Sequence, residues 1–170
     1  MYKYSDIPTE VIRFENEHDF FLENSFLGQI NSGQPYGFSE KEKIIAQLCV
    51  VLVDKYQYPM SVVKPSHGDH KADLIIKNYQ GQSIVLFLVS EYEEYEMKKI
   101  EKIKKLFHLA RNGKNIKYLC HYTHSYTKNG FKKEIDIIDY QKYQNYKTWL
   151  MKEEFVDKFF LLNQIVLSSL

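Results

Sequence analysis

A helical pattern of apolar residues begins after Ser39 and is the clearest element in the chain. Ser39 and Glu42 form a capping box, in which each side chain accepts a hydrogen bond from a free backbone N–H group of the other residue. Pro59 disfavours helical geometry at the residue before it, so we expect the helix to end before that proline. The apolar positions between these limits recur at helical spacing: Ile45, Leu48, Cys49, Leu52 and Tyr56.

Strand patterns dominate the middle of the chain. Residues 72–76 and 83–89 are predicted strands joined by turn-forming residues, which indicates a hairpin. Residues 83–89 are apolar on both faces, as is typical of a central strand covered on both sides. Two further strands are predicted at 115–122 and 131–138. The first of these follows a helix, so we expect it to pair in parallel with residues 83–89, and the second is expected at a sheet edge.

A second long helix is predicted between residues 91 and 112, where Asn112 and Gly113 supply a stop signal. We expect the face of this helix that packs on the core to consist of the apolar residues at helical spacing: Met97, Ile100, Ile103, Phe107 and Ala110.

The two ends of the chain have weaker patterns. Residues 11–14 predict a short strand, and residues 18–26 predict a helical turn or two. The order of all these elements predicts one α/β domain spanning 1–170, built on a mixed four- or five-stranded sheet flanked by helices. The last thirty residues are predicted to be mostly helical, with five core candidates: Trp149, Leu150, Phe155, Phe159 and Leu162.

Composition narrows the classes of function. The 170 residues include 23 Lys and Arg against 22 Asp and Glu, and the resulting net charge of +1 excludes a globally basic nucleic-acid-binding tail. Arg13 and Arg111 are the only arginines, so any binding of nucleic acid is expected not to depend on its base sequence. No signal peptide and no apolar run of membrane-spanning length are visible, which predicts a cytoplasmic protein without a membrane partner. Cys49 and Cys120 are expected to be small buried residues in a reduced compartment.

Three stretches of the chain together resemble a known nuclease family. Glu40-Lys41-Glu42 opens the first helix, residues 52–59 close it with Tyr-Pro, and His70-Lys71-Ala72-Asp73-Leu74-Ile75-Ile76 leads into a strand. This succession resembles the PD-(D/E)xK nuclease fold, most closely the N-terminal nuclease-like domain of type I restriction enzyme R subunits. The resemblance implies a restriction-endonuclease-like core at 39–122, with an N-terminal extension at 1–38 and packing or interface elements at 123–170.

The resemblance implies Mg²⁺-assisted hydrolysis of phosphodiesters, for which hard oxygen ligands are needed. Asp73 matches the metal-binding aspartate of the family, and Glu40 or Glu42 is the candidate for a helix carboxylate. The family's Glu-x-Lys motif falls on Leu88-Val89-Ser90, which supplies neither the carboxylate nor the lysine. Mg²⁺ is therefore expected only if the site has been rearranged.

Three functions stay open on these residues. The leading one is a catalytically impaired nuclease-like module in nucleic-acid handling, in restriction or anti-phage defence, which acts by binding or assembly. The second is an active Mg²⁺-dependent nuclease with metal ligands Asp73, Glu40 and Glu42 and with Glu91 and Lys98 as migrated catalytic residues. The third is an adaptor subunit that binds protein through its aromatic and C-terminal apolar surface, with a homodimer or a larger defence complex as the assembly.

Lysines on the second helix are the candidates for contact with DNA or RNA. Lys98, Lys102 and Lys105 share one helix face and would suit sequence-independent contact with phosphates. The alternative is a solvated face, supported by the pair of Glu94 and Lys98 at i, i+4. Zinc is disfavoured, because the His67–His70 and Cys120–His124 clusters contain no Cys-x₂-Cys pair.

Overall fold

A mixed five-stranded β-sheet forms the centre of the protein and carries helices on both faces. The computed structural model describes residues 39–66, 71–127 and 130–150, and three strands before them: β1 (Ile12–Phe14), β2 (Asp19–Leu22) and β3 (Ser25–Gln29). The strands of the central sheet, in spatial order, are β4 (Val63–Pro65), β5 (Leu74–Lys77), β6 (Ser83–Val89), β7 (Tyr118–Thr127) and β8 (Gly130–Asp139). The helices are α1 (Glu40–Val50), α2 (Tyr95–Ala110) and α3 (Tyr146–Leu150).

The strand pairing confirms the predicted topology. β4, β5 and β6 pair antiparallel, so the predicted hairpin is present, with Leu74 opposite Phe87. β6 and β7 pair in parallel after the α2 crossover, and β8 pairs antiparallel with β7 at the end of the strand order. The expectation of a mixed sheet in an α/β arrangement is therefore confirmed.

Apolar residues on the two faces of the sheet form two separate clusters. On one face, α1 packs on side chains such as Leu74, Phe87 and Cys120. On the other face, α2 packs on side chains such as Leu86 and Leu119. Each fully buried side chain of this size contributes about 1.5 to 3 kcal/mol, so both layers are needed to stabilise the sheet. The free cysteines, Cys49 and Cys120, are buried as expected.

The start of α1 follows the predicted capping box. The Glu42 backbone N–H donates to Ser39 Oγ at 3.2 Å, and the Ser39 N–H donates to Glu42 Oε2 at 2.6 Å. The helix continues as a π-helical segment, Val51–Lys55, and ends at Tyr56 ahead of Pro59. Both predicted limits of the helix are confirmed.

The N-terminal strands correct one prediction. The strand predicted at 11–14 is present as β1, but the helical turns predicted at 18–26 are wrong, because β2 and β3 occupy that region. The three strands form an antiparallel sheet in which Ile12 lies opposite Leu22. β2 contains the aromatic residues Phe20 and Phe21. Aromatic residues favour strands, and the pairing of β2 with β1 and β3 holds its backbone extended.

The inner face of α2 matches the prediction only in its C-terminal part. Ile103, Phe107 and Ala110 are buried as predicted, but Met97 is 76% exposed and Ile100 is 56% exposed, so these two core assignments are wrong. The N-terminal half of α2 instead turns Tyr95 and Lys99 toward β8, where both contact a buried carboxylate.

The C-terminal core candidates have mixed outcomes. Trp149 packs partly buried on the α2 side of the sheet, whereas Leu150 is 59% exposed, which makes that prediction wrong. Leu150 ends the short helix α3 and faces away from the cluster on the α2 side. Phe155, Phe159 and Leu162 lie outside the described residues. Within the described parts of the chain, no helix has the length and apolar character needed to cross a membrane.

Candidate functional site at the ends of the central strands

Asp73 lies just before β5 and is held by two neighbouring elements. Its Oδ2 atom accepts a hydrogen bond from the Val89 backbone N–H at 2.8 Å. Its Oδ1 atom lies 2.9 Å from the Lys41 Nζ atom of α1, and the Asp73 side chain is only 14% exposed. The Asp73 backbone N–H donates to the Phe87 carbonyl at 2.8 Å, which fixes the position of the residue on the sheet. The carboxylate is therefore bound on both oxygens by groups of the protein itself.

Lys102 of α2 interacts electrostatically with the Asp73 site. It is partly buried. Burial lowers the pKa of Lys102, the positive charges of Lys41 and Lys105 lower it further, and the charge of Asp73 raises it, with exposed Glu101 acting more weakly. The one ion pair of Asp73 among the described residues is with Lys41.

The strand position expected to hold a metal-binding glutamate holds a buried leucine. Leu74 lies opposite Phe87, so the same register continued by one residue places Asp73 opposite Leu88. Leu88 is fully buried in the cluster under α2. Leu88 thus fills with hydrocarbon the space in which a second carboxylate would have to face Asp73.

A buried polar network continues from Leu88 across the sheet. Leu88 lies opposite His121 of β7, and His121 lies opposite Asp136 of β8. The Ser90 hydroxyl lies 2.8 Å from His121 Nε2. The Tyr95 hydroxyl donates to Asp136 Oδ2 at 2.6 Å, and its ring stacks on His121 with centroids 4.2 Å apart. Burial and the neighbouring Asp136 raise the pKa of Tyr95, so its hydroxyl stays protonated and remains a donor.

Lys99 of α2 closes this network, since its Nζ atom lies 3.2 Å from Asp136 Oδ2. Burial lowers the pKa of His121 to about 4, so the imidazole is neutral at pH 7. Among the described residues, His121 Nδ1 has no hydrogen-bond partner. Asp136 accepts the Tyr95 hydroxyl and makes no hydrogen bond to His121 Nδ1. Ser90 and His121 are also buried. The trio Ser90, His121 and Asp136 therefore lacks both the orientation and the access of a hydrolytic triad.

The carboxylates predicted as metal ligands have other roles. Glu42 accepts the Ser39 N–H as the capping partner, and Glu40 lies 2.9 Å from Lys43 Nζ. Glu91 precedes α2 and faces a separate cleft. Among the described residues, no group of three His, Cys, Asp or Glu side chains could hold a metal ion. With both Asp73 oxygens bound by protein donors, the residues present do not fit Mg²⁺, which requires several oxygen ligands in octahedral geometry.

The three lysines predicted to contact nucleic acid differ in their surroundings. Lys98 lies 2.6 Å from Glu94 Oε2, which raises the pKa of Lys98, so that pair behaves as the alternative reading expects. Lys102 is partly buried, and the charges of Lys41, Lys105 and Asp73 all act on its pKa. The structure therefore gives Lys102 an electrostatic interaction with Asp73 and pairs Lys98 with its own glutamate.

The candidate zinc clusters are not assembled in the described chain. Cys120 packs in the cluster under α1, and His121 points to the opposite face, as strand alternation predicts. His124 is buried, with its Nε2 atom bonded to Gln47 Oε1 and its Nδ1 atom 3.2 Å from the Tyr122 hydroxyl. The cluster at residues 67–70 lies outside the described residues.

Sequence reasoning found Asp73 and missed Lys41. The sequence could have pointed to Lys41, because this residue lies between the two glutamates that open α1. The helical phase places Lys41 about 100° from Glu40, so one of these residues can face Asp73 only if the other faces elsewhere. The structure turns the lysine inward.

Comparison with known proteins identifies no family for this chain. No protein-family model matches the chain, and no curated protein matches it. The function is therefore argued from the geometry of the site.

Proposed function

We propose that this protein is a catalytically impaired PD-(D/E)xK nuclease-like module that binds the phosphate backbone of nucleic acid without cleaving it. The observation that carries the proposal is the Lys41 ammonium group, which lies 2.9 Å from the Asp73 carboxylate. In the nuclease family that this chain resembles, the matching carboxylate binds a metal ion. An ammonium group in that place neutralises the carboxylate and competes with a metal ion for its oxygens.

The charge balance of the site supports phosphate as the ligand. Asp73 offsets the charge of Lys41, and the partly buried Lys102 has its pKa lowered by burial and by the positive charges of Lys41 and Lys105. A phosphate oxygen would supply the missing negative charge and accept hydrogen bonds from the ammonium groups. Lysine contacts hold the phosphate backbone of a nucleic acid without recognising its bases. The scarcity of arginine agrees with this, because arginine is the residue that commonly recognises base edges.

Restriction or anti-phage defence is the proposed setting, supported by the resemblance of residues 39–122 to the R-subunit nuclease domain. In this setting the module would hold nucleic acid or assemble with a catalytic partner, while cutting is done elsewhere.

Salt-dependent binding tests the proposal. Fluorescence anisotropy with a labelled DNA or RNA oligonucleotide should show affinity that falls about tenfold or more between 50 and 200 mM salt, as expected for two or three phosphate contacts. Lys102→Gln should lower affinity severalfold and reduce the salt slope by about one. Lys114→Gln removes the same charge from an exposed position beyond the end of α2, and should change neither.

Metal dependence separates this function from its competitors. Binding should persist in EDTA and should not require Mg²⁺ or Mn²⁺, and the oligonucleotide should stay intact with or without the metal. Cleavage that requires Mg²⁺ and is abolished by Asp73→Ala would establish an active nuclease with a rearranged site. Absence of salt-sensitive binding, together with a concentration-dependent dimer, would favour the adaptor function.

A further inference from the structure

The face of the central sheet that carries α2 is only partly covered along β5 and β4. The burial of β5 alternates: two of its residues are buried in the cluster under α1, whereas Ile75 and Lys77 point to the α2 face and are partly exposed. In β4, Val63 is buried in the cluster under α1, so the exposed Lys64 that follows it points to the α2 face. Lys64 lies opposite Ile75, and we call this surface, with Ile75, Lys77 and Lys64, the β5 shelf.

One side of α2 forms the wall of the β5 shelf. Lys102, Lys105 and Leu109 are partly buried and lie at i, i+3 and i+7, so they share this side of the helix. Ile75 of β5 and Leu109 of α2 both pack against the cluster on the α2 side. The charge of Asp73, which directly precedes β5, acts on Lys102. These contacts turn the wall toward β5.

The other side of α2 packs on β8 and α3. The Lys99 Nζ atom lies 3.2 Å from Asp136 Oδ2 of β8. The Lys104 Nζ atom lies 5.3 Å from the centre of the Tyr146 ring of α3. α3 therefore lies on the side of α2 that faces away from the β5 shelf.

Four lysines line the β5 shelf and its wall: Lys64, Lys77, Lys102 and Lys105. The Asp73 carboxylate, at one end of the shelf, is paired with Lys41, and the exposed Glu101 of α2 offsets part of the remaining charge. The excess of lysine attracts the phosphate backbone of a nucleic acid.

Apolar side chains lie among these lysines. Ile75 and Leu109 keep part of their surface exposed. A duplex keeps the faces of its bases stacked inside, so these side chains would have no partner in it. An unpaired strand exposes the faces of its bases to side chains of the protein. The combination of charge and apolar surface therefore fits a single strand.

The length of the shelf sets the number of nucleotides that it can hold. β5 rises about 3.4 Å per residue, so the distance from Asp73 to Lys77 is about 14 Å. A stacked strand rises about 3.4 Å per nucleotide, so about four nucleotides fit along this distance.

We propose that a single strand of nucleic acid lies along β5 on this shelf, with one phosphate at Lys41 and Lys102 and the following phosphates at Lys105, Lys64 and Lys77. The proposal rests on the proposed function and adds three properties to it. These are the path of the strand, a site of about four nucleotides, and a preference for unpaired over paired nucleic acid.

Oligonucleotides of defined length and pairing test the site size and the preference. In fluorescence anisotropy at low salt, the affinity for labelled oligo-dT should rise steeply up to about four nucleotides and only slowly beyond that length. A duplex should bind about tenfold more weakly than either of its separated strands. Equal or tighter binding of the duplex overturns the proposal.

Lysine variants on the floor of the shelf test the path. Lys64→Gln and Lys77→Gln should each lower the affinity for oligo-dT severalfold and reduce the salt slope by about 0.7, the value for one phosphate contact with a single strand. Lys132→Gln removes the same charge from an exposed position on β8, at the opposite edge of the sheet, and should change neither. If Lys102→Gln weakens binding while both floor variants behave like Lys132→Gln, the proposed function stands and the path along β5 is overturned.

NMR of the unmodified protein gives a test that needs no variant. A short oligo-dT should shift the backbone amide signals of Ile75 and Lys77 and leave that of Lys132 in place. Shifts near Asp73 without shifts at Ile75 and Lys77 would restrict the ligand to the Asp73 site and overturn the path. If no oligonucleotide binds at low salt, the proposed function fails and the path fails with it.

Discussion

Asp73 is bound by an ammonium group and a backbone N–H group. Lys41 and the Val89 N–H each engage one oxygen of the carboxylate, so a metal ion at this carboxylate would compete with the Lys41 ammonium group. We expect Asp73 to act as a counter-ion to Lys41. Removing the carboxylate should therefore affect binding and stability in opposite directions.

Asp73→Asn should strengthen nucleic-acid binding severalfold, because the substitution removes the carboxylate that competes with phosphate for the lysines. The free energy of unfolding should fall by about 1 kcal/mol, since the amide oxygen can still accept the Val89 N–H but the ion pair is lost. Anisotropy and urea unfolding measure the two effects. Asp139→Asn makes the same charge change at the other end of the sheet and should leave affinity unchanged. Weaker binding by Asp73→Asn would contradict the counter-ion role.

Two buried histidines make stability depend on pH. Burial lowers the pKa of His121 and of His124 to about 4, against about 6.5 in the unfolded chain. Between these values the unfolded chain binds more protons, so acidification through this window destabilises the fold, by up to about 3 kcal/mol for each histidine. Below pH 4 this contribution levels off.

Urea unfolding at pH 7, 5.5 and 4.5 measures this loss. Because carboxylates also titrate toward the acid end, the diagnostic quantity is the difference between the wild type and His121→Gln. The variant should lose less stability between pH 7 and 4.5, whatever its stability at pH 7. Equal losses would show that His121 is not held in its neutral form.

At the scale of single residues, the sequence identified one side of the site. Asp73 could be found because its local motif, a small residue before it and a strand after it, is short and continuous. Lys102 was predicted as a phosphate contact, but its interaction with Asp73 was not foreseen and Lys41 was missed, because both lysines come from helices distant in sequence from Asp73. Helical spacing indicates which residues share a face, but not which part of the protein that face packs against.

Among the elements, α2 shows how a correct helix can have its inner face predicted only in part. Apolar periodicity placed five residues in the core, of which Ile103, Phe107 and Ala110 are buried and Met97 and Ile100 are exposed. Near its N-terminus the helix instead turns Tyr95 and Lys99 toward the buried carboxylate of Asp136. A pattern that counts only apolar residues cannot detect an inward face that is polar.

The same truncation at two positions of α2 tests this orientation. Ile103 is 1% exposed and Ile100 is 56% exposed. Ile103→Ala should lower the free energy of unfolding by about 2 to 4 kcal/mol, because it leaves a cavity in the cluster on the α2 side. Ile100→Ala should change it by no more than about 0.5 kcal/mol. Urea denaturation gives both values, and similar losses at the two positions would show that the predicted face was right.

For the whole molecule, the order and pairing of the core elements followed from local signals. The capping box, the hairpin turn and the crossover rule are each contained in one stretch of sequence, and each was confirmed. The strands at the N-terminus were partly missed, because residues 18–26 lack clear alternation and the partner strands that decide their conformation lie elsewhere in the chain.

The parallel junction of β6 and β7 has a consequence for how the chain reaches its native state. The β5–β6 and β7–β8 pairs are hairpins that close over short loops, whereas β6 and β7 can pair only after the whole α2 crossover has been placed. The ion pair of Lys41 and Asp73 lies wholly before this junction, whereas the contact of Ser90 with His121 spans it. The buried polar network is therefore completed only when the two halves join.

Pulsed hydrogen exchange during refolding resolves this order. The Asp73 amide, bonded to the Phe87 carbonyl, reports on the first hairpin. The Ser90 amide, bonded to the Tyr122 carbonyl, and the Lys117 amide, bonded to the Ile84 carbonyl, report on the junction. We expect protection at Asp73 to appear before protection at the other two, whereas simultaneous protection would mean that the hairpins do not form independently. If the order holds, the contact between Ser90 and His121 closes in the last step of folding.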